Sequence, residues 1–491
     1  PSCRILGKSS PASHLTMAIS ASGLLLLLFI IFTGPIFYTS RYFVRKYIYR
    51  TALSENGSDE DATSKQVVVD EDGEEKVDGT SSLLTLLGYA IGIGNVWRFP
   101  YLVGRYGGAA FVFAYLLMLF TCALPLFLLE MGLGQWTHKF FIETLEIIHP
   151  RWKGLGFAQA ILIYLLISYY NVLIAYAIIY AFASAIDPLP WLTTPSDVFW
   201  QKNILNMYDD PVNASSLGPV NGTTIAALAG LYVACFFAIS YGKKFLTKIT
   251  WITVISPLVI MTILVFRCVA LPGASDGIAF YIGKFEMKAL ADINLWATAA
   301  GQILFSLSPG LGCAITLSAG SHNEKKDEDA YKKAMIIALA NSSFSLFGGF
   351  ATFSILGKIA LETNTPVAVV ASKSGTGLAF ITLANGMGYF GGASNVMSVL
   401  LFSMLVLLGI DSTFAMLETL IEVVKYVFKK QFQYQPSMPV MVGIMCSVCF
   451  LSGIIFTTRL GIELLDVVDH FIGTYVLLFA NGYMGLIFNM D

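Results

Sequence analysis

Glycine, asparagine and proline interrupt an apolar stretch of the chain between Gly88 and Tyr101, which reads GYAIGIGNVWRFPY. Glycine weakens a helix and proline lacks an amide hydrogen, so we expect a helix to break here, at Gly92–Asn95. Freed backbone amides attract anions and freed carbonyls attract cations. Because such groups cannot face lipid, they must line a cavity or bind a ligand. The stretch therefore predicts a binding site.

A second interruption, SPGLG, occupies residues 308–312 of another apolar stretch. Further along, LGIDSTFAMLE places Asp411 among apolar residues. A carboxylate in the middle of a membrane is costly unless a cation pairs with it. Leu408, Asp411 and Ser412 are three and four positions apart, so they share one helix face. An aspartate that only makes structural hydrogen bonds, or one that carries a proton, stays an alternative.

Two pairs of neutral polar residues have helical spacing. Gln302 and Ser306 are four apart, as are Asn341 and Ser345, so each pair projects from one face of its helix. Such amides and hydroxyls supply N–H and O–H donors. A polar cluster that only joins helices is the alternative, and it is common in membranes.

The composition indicates a membrane protein. The chain has 491 residues, of which 56% are hydrophobic and 13% charged, whereas soluble proteins are about a quarter charged. Many apolar stretches exceed the roughly 18–20 residues that cross a bilayer, which predicts an all-α polytopic protein. We find no basic cluster for nucleic acid, no cysteine metal spacing, and no nucleophile elbow or phosphate loop. We therefore expect neither an enzyme nor an organic cofactor.

Three regions are predicted. Residues 1–50 form an extension with an apolar helix at 17–38 and a basic flank, residues 51–80 an acidic disordered linker, and residues 81–491 the core. A signal peptide with Met17 as the true start is the alternative for the extension. The core has ten apolar segments, near 82–105, 108–133, 155–185, 223–241, 246–271, 292–320, 331–358, 394–427, 438–457 and 462–489. Because the chain starts at Pro1 and ends just after an apolar segment, we expect a fragment at one or both ends.

Lysine and arginine alternate between the connecting loops and predict the orientation. Their distribution places the start of the first core segment and the 51–80 linker in the cytoplasm. The 186–222 loop, with only Lys202, is then extracellular. It carries two glycosylation sequons, at Asn213 and Asn221, which agree with that side.

The two interruptions fall in segments one and six, and each of these opens a set of five. This pattern predicts a five-plus-five inverted-repeat transporter fold, with repeat one at 81–271 and repeat two at 272–491. The substrate site would lie where the broken helices 1 and 6 meet. Two kinked structural helices are the alternative.

The residues around both breaks resemble a known family. GYAIGIGNVWRFPYLVGRYGG, SYYN at 168–171, GQILFSLSPGLG at 301–312 and LGIDSTFAMLE at 408–418 are similar to motifs of the neurotransmitter:sodium symporter family, and the resemblance covers residues 81–491. It implies a plasma-membrane symporter that couples sodium and chloride to a small substrate by alternating access. It also implies helices 11 and 12, for which this sequence has no segments.

The resemblance also implies ion sites. Sodium 1 would use Ala90, Asn95, Ser306 and Asn341; sodium 2 would use Gly88, Ile91, Leu408, Asp411 and Ser412; chloride would use Tyr115, Gln302, Ser306, Asn341 and Ser345. Bacterial members often carry a glutamate at the position of Ser345, so the serine implies chloride dependence. Arg98 and Asp469 would form the extracellular gate, whereas an arginine that only reaches the membrane interface is the simpler alternative.

The implied substrate site includes Gly92, where monoamine carriers of the family have an aspartate. Glycine therefore implies a carboxylate-bearing substrate, such as a neutral amino acid, glycine or GABA. The implied lining is Ala90, Gly92, Ile93, Gly94, Leu166, Tyr170, Phe305, Ser306, Ser308, Leu311, Ser412 and Met416.

The cytoplasmic gate departs from the family pattern. GEEKVDGTSS precedes the first helix without the usual arginine and tryptophan, Tyr426 replaces the usual aspartate, and His322 replaces a tyrosine. These losses leave two alternatives open, a substrate sensor that does not transport and a leaky channel.

Overall fold

The structure is a computed structural model, and it describes residues 79–207, 218–320, 328–372, 377, 379–434, 436–477 and 480–482. The predicted helix at 17–38, residues 51–78 of the predicted linker, Asn213 and His322 lie outside the described residues. The ion, substrate and extracellular gate residues all lie within them.

The described chain is helical, apart from turns, loops and two isolated antiparallel bridges, Gly108–Phe285 and Val220–Thr458. The helices of repeat one are α1 Gly79–Ala90, α2 Arg98–Arg105, α3 Ala109–Met118, α4 Leu124–Thr137, α5 Phe141–Ile148, α6 Lys153–Ala183, α7 Pro190–Thr193, α8 Ser196–Phe199, α9 Gly222–Ser240 and α10 Lys243–Val269. Those of repeat two are α11 Ala274–Ile278, α12 Ile293–Leu307, α13 Cys313–Ala319, α14 Glu328–Thr363, α15 Val367–Ser372, α16 Ala384–Met387, α17 Ser394–Phe432, α18 Met438–Gly453 and α19 Gly461–His470.

Short 3₁₀ and π turns link several of these helices. The 3₁₀ turns are Ile93–Asn95, Met287–Ala291, Gly388–Ala393 and Ile454–Thr457. The π turns are Leu119–Ala123, Trp200–Ile204, Ala279–Gly283, Ala379–Leu383 and Phe471–Val476.

Seven helices within the described ranges are long and apolar enough to cross a membrane: Ala109–Thr137, Lys153–Ala183, Gly222–Ser240, Phe245–Val269, Ala330–Thr363, Phe380–Phe432 and Met438–Thr457. The prediction of an all-α membrane protein is confirmed. Ten core segments were predicted. Segments one and six are each represented by two shorter helices, and segment ten by α19 and the π turn that follows it, so these three do not count as continuous spans.

Two clusters of buried residues form the core. One centres on α6 and α17, which pack along each other, and includes parts of α9, α10 and α18. The other combines residues of α2, α3, α4, α12 and α14. Helices α1 and α12 contribute to both clusters, so the ends of these two helices lie at the boundary between them. This boundary is where the candidate site lies.

Candidate functional site

Two helical paths stop and restart inside the core. Helix α1 ends at Ala90, a single 3₁₀ turn follows, and α2 begins at Arg98. Helix α12 ends at Leu307 and α13 begins at Cys313. The short link between them holds Ser308, Gly310 and Gly312 at φ angles of 52°, 83° and 76°. This left-handed backbone favours glycine, and Pro309 lacks the N–H that a continuous helix needs.

The two breaks lie side by side. The Tyr89 hydroxyl, at the end of α1, donates to the Ser308 carbonyl at 3.1 Å. The Gln302 amide on α12 donates to the Gly94 carbonyl at 3.4 Å. Backbone groups from each break are thus tied to the other helix by hydrogen bonds.

A small cavity lies between the breaks, α6 and α17. Its wall consists of Tyr89, Ala90, Gly92, Gly94, Asn95, Leu166, Tyr170, Phe305, Ser306, Ser308, Ser412 and Met416. Ten of the twelve residues expected to hold substrate are in this wall. Ile93 and Leu311 are not: the Ile93 side chain points at Gly409 on α17, and Leu311 is buried within the α6–α17 cluster. Tyr89 and Asn95 are on the wall without having been assigned to the substrate.

Gly92 leaves room for two hydroxyl groups at one end of the cavity. A Cβ atom at this position would lie 2.8 Å from the Tyr170 hydroxyl oxygen and 3.0 Å from Ser412 Oγ. The Ile93 amide donates to that Tyr170 oxygen at 3.2 Å. A backbone amide beside an O–H donor is chemistry that suits a carboxylate.

The three side chains expected at sodium 1 form one buried cluster. Asn95 Nδ2 lies 2.7 Å from Asn341 Oδ1, and Ser306 Oγ lies 3.0 Å from Asn95 Oδ1 and 3.1 Å from Asn341 Oδ1. Ala90 lines the adjoining cavity. Neutral oxygens this close together are a donor set that suits a hard cation.

The sodium 2 residues join α1 to α17. A Cβ atom on Gly88 would lie 2.9 Å from Asp411 Oδ2, so the carboxylate faces the α1 backbone directly. Ser412 Oγ donates to the Tyr89 carbonyl at 3.1 Å. Ile91 and Leu408 are also buried. The Thr253 hydroxyl on α10 donates to Asp411 Oδ1 at 2.5 Å, a contact that the sequence did not suggest.

Hydroxyl groups dominate the expected chloride site. Tyr115 donates to Ser342 Oγ at 3.2 Å and also faces Ser306 and Ser345. All of these side chains are buried. Gln302 uses its amide elsewhere, since its Oε1 accepts from Arg98 Nη1 at 2.7 Å and its Nε2 bonds to the Gly94 carbonyl. Ser342 was not predicted here, because only residues four apart were grouped.

Arg98 and Asp469 form a buried ion pair, with Nε and Oδ2 3.1 Å apart. The residues are 4% and 8% exposed, so neither side chain reaches outward to an interface. Tyr169 donates to Asp469 Oδ1 at 2.9 Å, and the Arg98 guanidinium lies 4.9 Å from the centroid of the Phe305 ring. Since Phe305 is on the cavity wall, the pair lies next to the cavity.

Glu130 is a site residue that the sequence analysis missed. It is buried on α4, and its Oε1 accepts from the Gly310 amide at 2.8 Å, within the second break. One turn further along, Gly134 brings α4 against α13, since a Cβ atom there would overlap the Ile315 carbonyl. A lone carboxylate in the apolar run LFLLEMGLGQW was the available signal.

Tyr426, near the C-terminal end of α17 and away from Asp469, belongs to a polar cluster. Its hydroxyl donates to Glu146 Oε2 on α5 at 2.8 Å, and Lys430 Nζ lies 2.6 Å from the same oxygen. Lys430 Nζ also lies 4.8 Å from the centroid of the Tyr426 ring. Lys430 first, and then Tyr426, hold the pKa of the Glu146 carboxyl below its usual value. The cluster ties the end of α17 to α5.

Asn221 caps α9 instead of projecting from the surface. Its Oδ1 accepts from the Thr223 amide at 3.0 Å, and its Nδ2 donates to the Ile204 carbonyl at 2.6 Å. The residue is 8% exposed. A glycan would attach to this nitrogen, so the geometry counts against the expected modification at Asn221.

Comparisons with known proteins identify the family and a similar fold. The model of the sodium:neurotransmitter symporter family matches residues 75–196 and 192–488. The sodium- and chloride-dependent GABA transporter 2 of Rattus norvegicus is 32% identical over 453 residues, covering 86% of this chain and 74% of that protein. Its counterpart in Homo sapiens is 33% identical over 417 residues, covering 79% and 68%. The crystal structure of MhsT in complex with L-phenylalanine superposes with a TM-score of 0.68 at 23% identity, covering 84% of this chain and 88% of that one.

Proposed function

Because the chain belongs to the sodium:neurotransmitter symporter family, whose members are transporters and not enzymes, we propose that it is a sodium- and chloride-coupled symporter of a small carboxylate-bearing substrate. The substrate class is a neutral amino acid, glycine or GABA. The protein itself lies in the plasma membrane, with the 186–222 loop on the extracellular side and the 51–80 linker in the cytoplasm. Asn213 is then the glycosylation candidate.

The observation that carries this proposal is the position of Gly92 against Tyr170 and Ser412. An aspartate at position 92 would direct its charge to an amine. Glycine instead leaves the Tyr170 hydroxyl and the nearby amides for an anionic group of the substrate. That carboxylate would lie next to the sodium 1 cluster, and its charge would compensate the cation. The small cavity favours a small substrate, as do the GABA transporters among the relatives.

The two sodium sites would supply the driving force. Sodium 1, at Asn95, Ser306 and Asn341, shares its surroundings with the substrate and so couples the two directly. Sodium 2, at Gly88 and Asp411, would hold the end of α1 against α17. Chloride at Tyr115, Ser306 and Ser345 would balance this added positive charge.

Transport would follow from movement of the two broken helices. The Arg98–Asp469 pair would close one side of the cavity. Loss of that pair would open the cavity outward, whereas movement of α1 and α13 away from α17 would open it inward. Hydrogen bonds between Tyr89 and Ser308 would make the two breaks move as one unit.

The altered residues of the cytoplasmic gate do not by themselves favour a substrate sensor or a leaky channel over a symporter. A sensor or a channel would need an inner side that is fixed or open. The cluster of Glu146, Tyr426 and Lys430 supplies contacts that can close this side without the usual arginine–aspartate pair. Symport therefore remains the function that the geometry supports best.

Uptake into proteoliposomes tests the proposal. The full chain is reconstituted and offered radiolabelled glycine, GABA, proline and leucine, with sodium or chloride replaced in turn. We expect at least one substrate to accumulate only when both ions are outside. Saturable binding without sodium-driven uptake would indicate a sensor, and current without substrate would indicate a channel.

A further inference from the structure

The carboxylate of Asp411 has two different neighbours. Its Oδ2 faces Gly88 on α1, and its Oδ1 accepts a hydrogen bond from the Thr253 hydroxyl on α10 at 2.5 Å. Thr253 and Asp411 are 4% and 6% exposed. Helix α10 thus contacts the one carboxylate of the sodium 2 set through the oxygen that does not face Gly88.

Thr253 has a second acceptor on its own helix. Its Oγ1 lies 3.1 Å from the Ile249 carbonyl, the usual internal partner of a helical threonine. The single hydroxyl hydrogen can serve only one acceptor fully, and the shorter contact is with Asp411. A carboxylate also accepts the stronger bond, because it carries the charge.

The surrounding backbone holds this contact in place. Val254 Cγ2 would lie 3.1 Å from a Cβ atom at Gly88, so α10 packs against α1 right beside the carboxylate. Pro257 is four residues after Thr253 and has no N–H to donate to the Thr253 carbonyl. The hydroxyl therefore sits in a turn of α10 that lacks one backbone hydrogen bond and packs against α1.

We infer that Thr253 is a positioning residue for the sodium 2 site: it holds Asp411 Oδ1 so that Oδ2 faces the Gly88 backbone. This inference rests on the proposed function, because it assumes that Asp411 is a sodium ligand. A hydroxyl is suited to the task, since it orients the carboxylate without adding a positive charge that would repel the cation. A lysine or arginine at this position would compete with sodium for the same oxygens.

The test compares Thr253→Val with Thr253→Ser in the full chain. Valine keeps the shape of threonine and removes its hydroxyl, whereas serine keeps the hydroxyl and removes the methyl group. Thr250→Val is the matched control, because Thr250 is equally buried on α10 and, among the described residues, its hydroxyl bonds only to the Leu246 carbonyl. Two quantities are measured: the sodium concentration for half-maximal uptake, and the sodium concentration that half-maximally stabilises the purified protein against heat.

We expect Thr253→Val to raise both sodium concentrations by about 10-fold, the effect of losing one hydrogen bond to a charged group. Thr253→Ser and Thr250→Val should stay within about twofold of the unmodified chain, and the chloride requirement should not change. The inference is overturned if Thr253→Val leaves sodium dependence unchanged, or if valine and serine at 253 are equally impaired. The second result would mean that the side chain only fills space.

Asp411→Asn separates this inference from the proposed function. If Asp411→Asn weakens sodium binding and Thr253→Val does not, only the role of Thr253 is lost. If neither variant changes the sodium-dependent stabilisation, Asp411 is not a sodium ligand and the proposed sodium 2 site fails with it. Because heat stability is read without transport, both conclusions can be reached even for a chain that binds but does not transport.

Discussion

Gly92 and the Tyr170 hydroxyl compete for one small volume: a single added methyl group at position 92 would lie 2.8 Å from that oxygen. The Ile93 amide donates to the same oxygen at 3.2 Å, so displacing the hydroxyl would also break that hydrogen bond. The Tyr170 hydroxyl and the Ile93 amide therefore form one polar end of the cavity, and the missing side chain at Gly92 leaves the space for it.

Gly92→Ala should raise the substrate KM by about 10-fold or more, because the new methyl group displaces the Tyr170 hydroxyl. Tyr170→Phe should also weaken substrate binding, since it removes an O–H donor. In the double variant the collision with the Tyr170 hydroxyl is gone and only the contact with Ser412 Oγ remains, so the two effects should combine to less than their sum. Radiolabelled uptake gives the four KM values. Strictly additive effects would show that Gly92 and Tyr170 act on substrate independently.

Ser345→Glu should make uptake independent of chloride. The new carboxylate would enter a buried group of hydroxyls, with Tyr115 and Ser306 as donors, and its fixed charge would replace the anion. Uptake is compared in chloride and in gluconate. Ser345→Gln is the control, since it adds similar volume without charge and should keep the chloride requirement. A glutamate variant that still needs chloride would place the anion site elsewhere.

Much of this arrangement was accessible from the sequence because helix ends and breaks have local causes. The glycines near position 92 and the SPGLG run mark the points where α1 and α12 end, since those residue types weaken a helix wherever they occur. The predicted segment at 155–185 corresponds to α6, Lys153–Ala183. Its cause is local too, because an apolar run of that length satisfies its backbone hydrogen bonds in a membrane by forming a helix.

Contacts between distant helices were not accessible in this way. Spacing gives the face on which Asp411 lies, but not that Thr253 on α10 faces it. Leu311 was expected on the cavity wall from the family resemblance. The left-handed turns at Gly310 and Gly312 place it in the core instead. Glu130 was overlooked because its partner is a backbone amide, and no sequence pattern indicates which amide a helix break will leave free.

Asp469→Asn should abolish most uptake while leaving sodium-dependent stabilisation in place. The change leaves the buried Arg98 charge without its partner, and breaking such a pair typically costs about 3–5 kcal/mol. Tyr169→Phe is the control, because it removes only one donor to the same carboxylate and should have the smaller effect. Equal uptake by the two variants would mean that the charge pair does not close the cavity. Lost sodium-dependent stabilisation would instead indicate general misfolding.

Glu146→Gln should loosen the inner side of the protein. It removes the charge that Lys430 contacts and weakens the bond from Tyr426, and exposed pairs of this kind contribute about 0.2–1 kcal/mol. We therefore expect Cys313, buried at the start of α13, to react roughly two- to fivefold faster with a thiol reagent applied to the inner face, as measured by mass spectrometry. Glu422→Gln is the matched control, because the ion pair that Glu422 makes within the described residues is with Lys425 on the same helix, α17. Equal labelling of the two variants would show that the cluster does not hold the inner side closed.

The cluster of Glu146, Tyr426 and Lys430 should weaken in acid, when the Glu146 carboxyl becomes protonated. Lys430 and Tyr426 lower the pKa of the Glu146 carboxyl. The stabilisation that this ionised carboxyl gives to the cluster is therefore fully present above the usual carboxyl pKa, and it is lost as the pH falls through the lowered value. Between pH 6 and 8 the Cys313 labelling rate of the unmodified chain should therefore not change because of Glu146, once the reagent's own pH dependence is subtracted. Only below that lowered pKa should its rate approach that of Glu146→Gln, because the carboxyl is then protonated in both the native and the unfolded chain. Faster labelling on going from pH 8 to pH 6, present in the unmodified chain and absent from Glu146→Gln, would contradict a lowered pKa at this carboxyl.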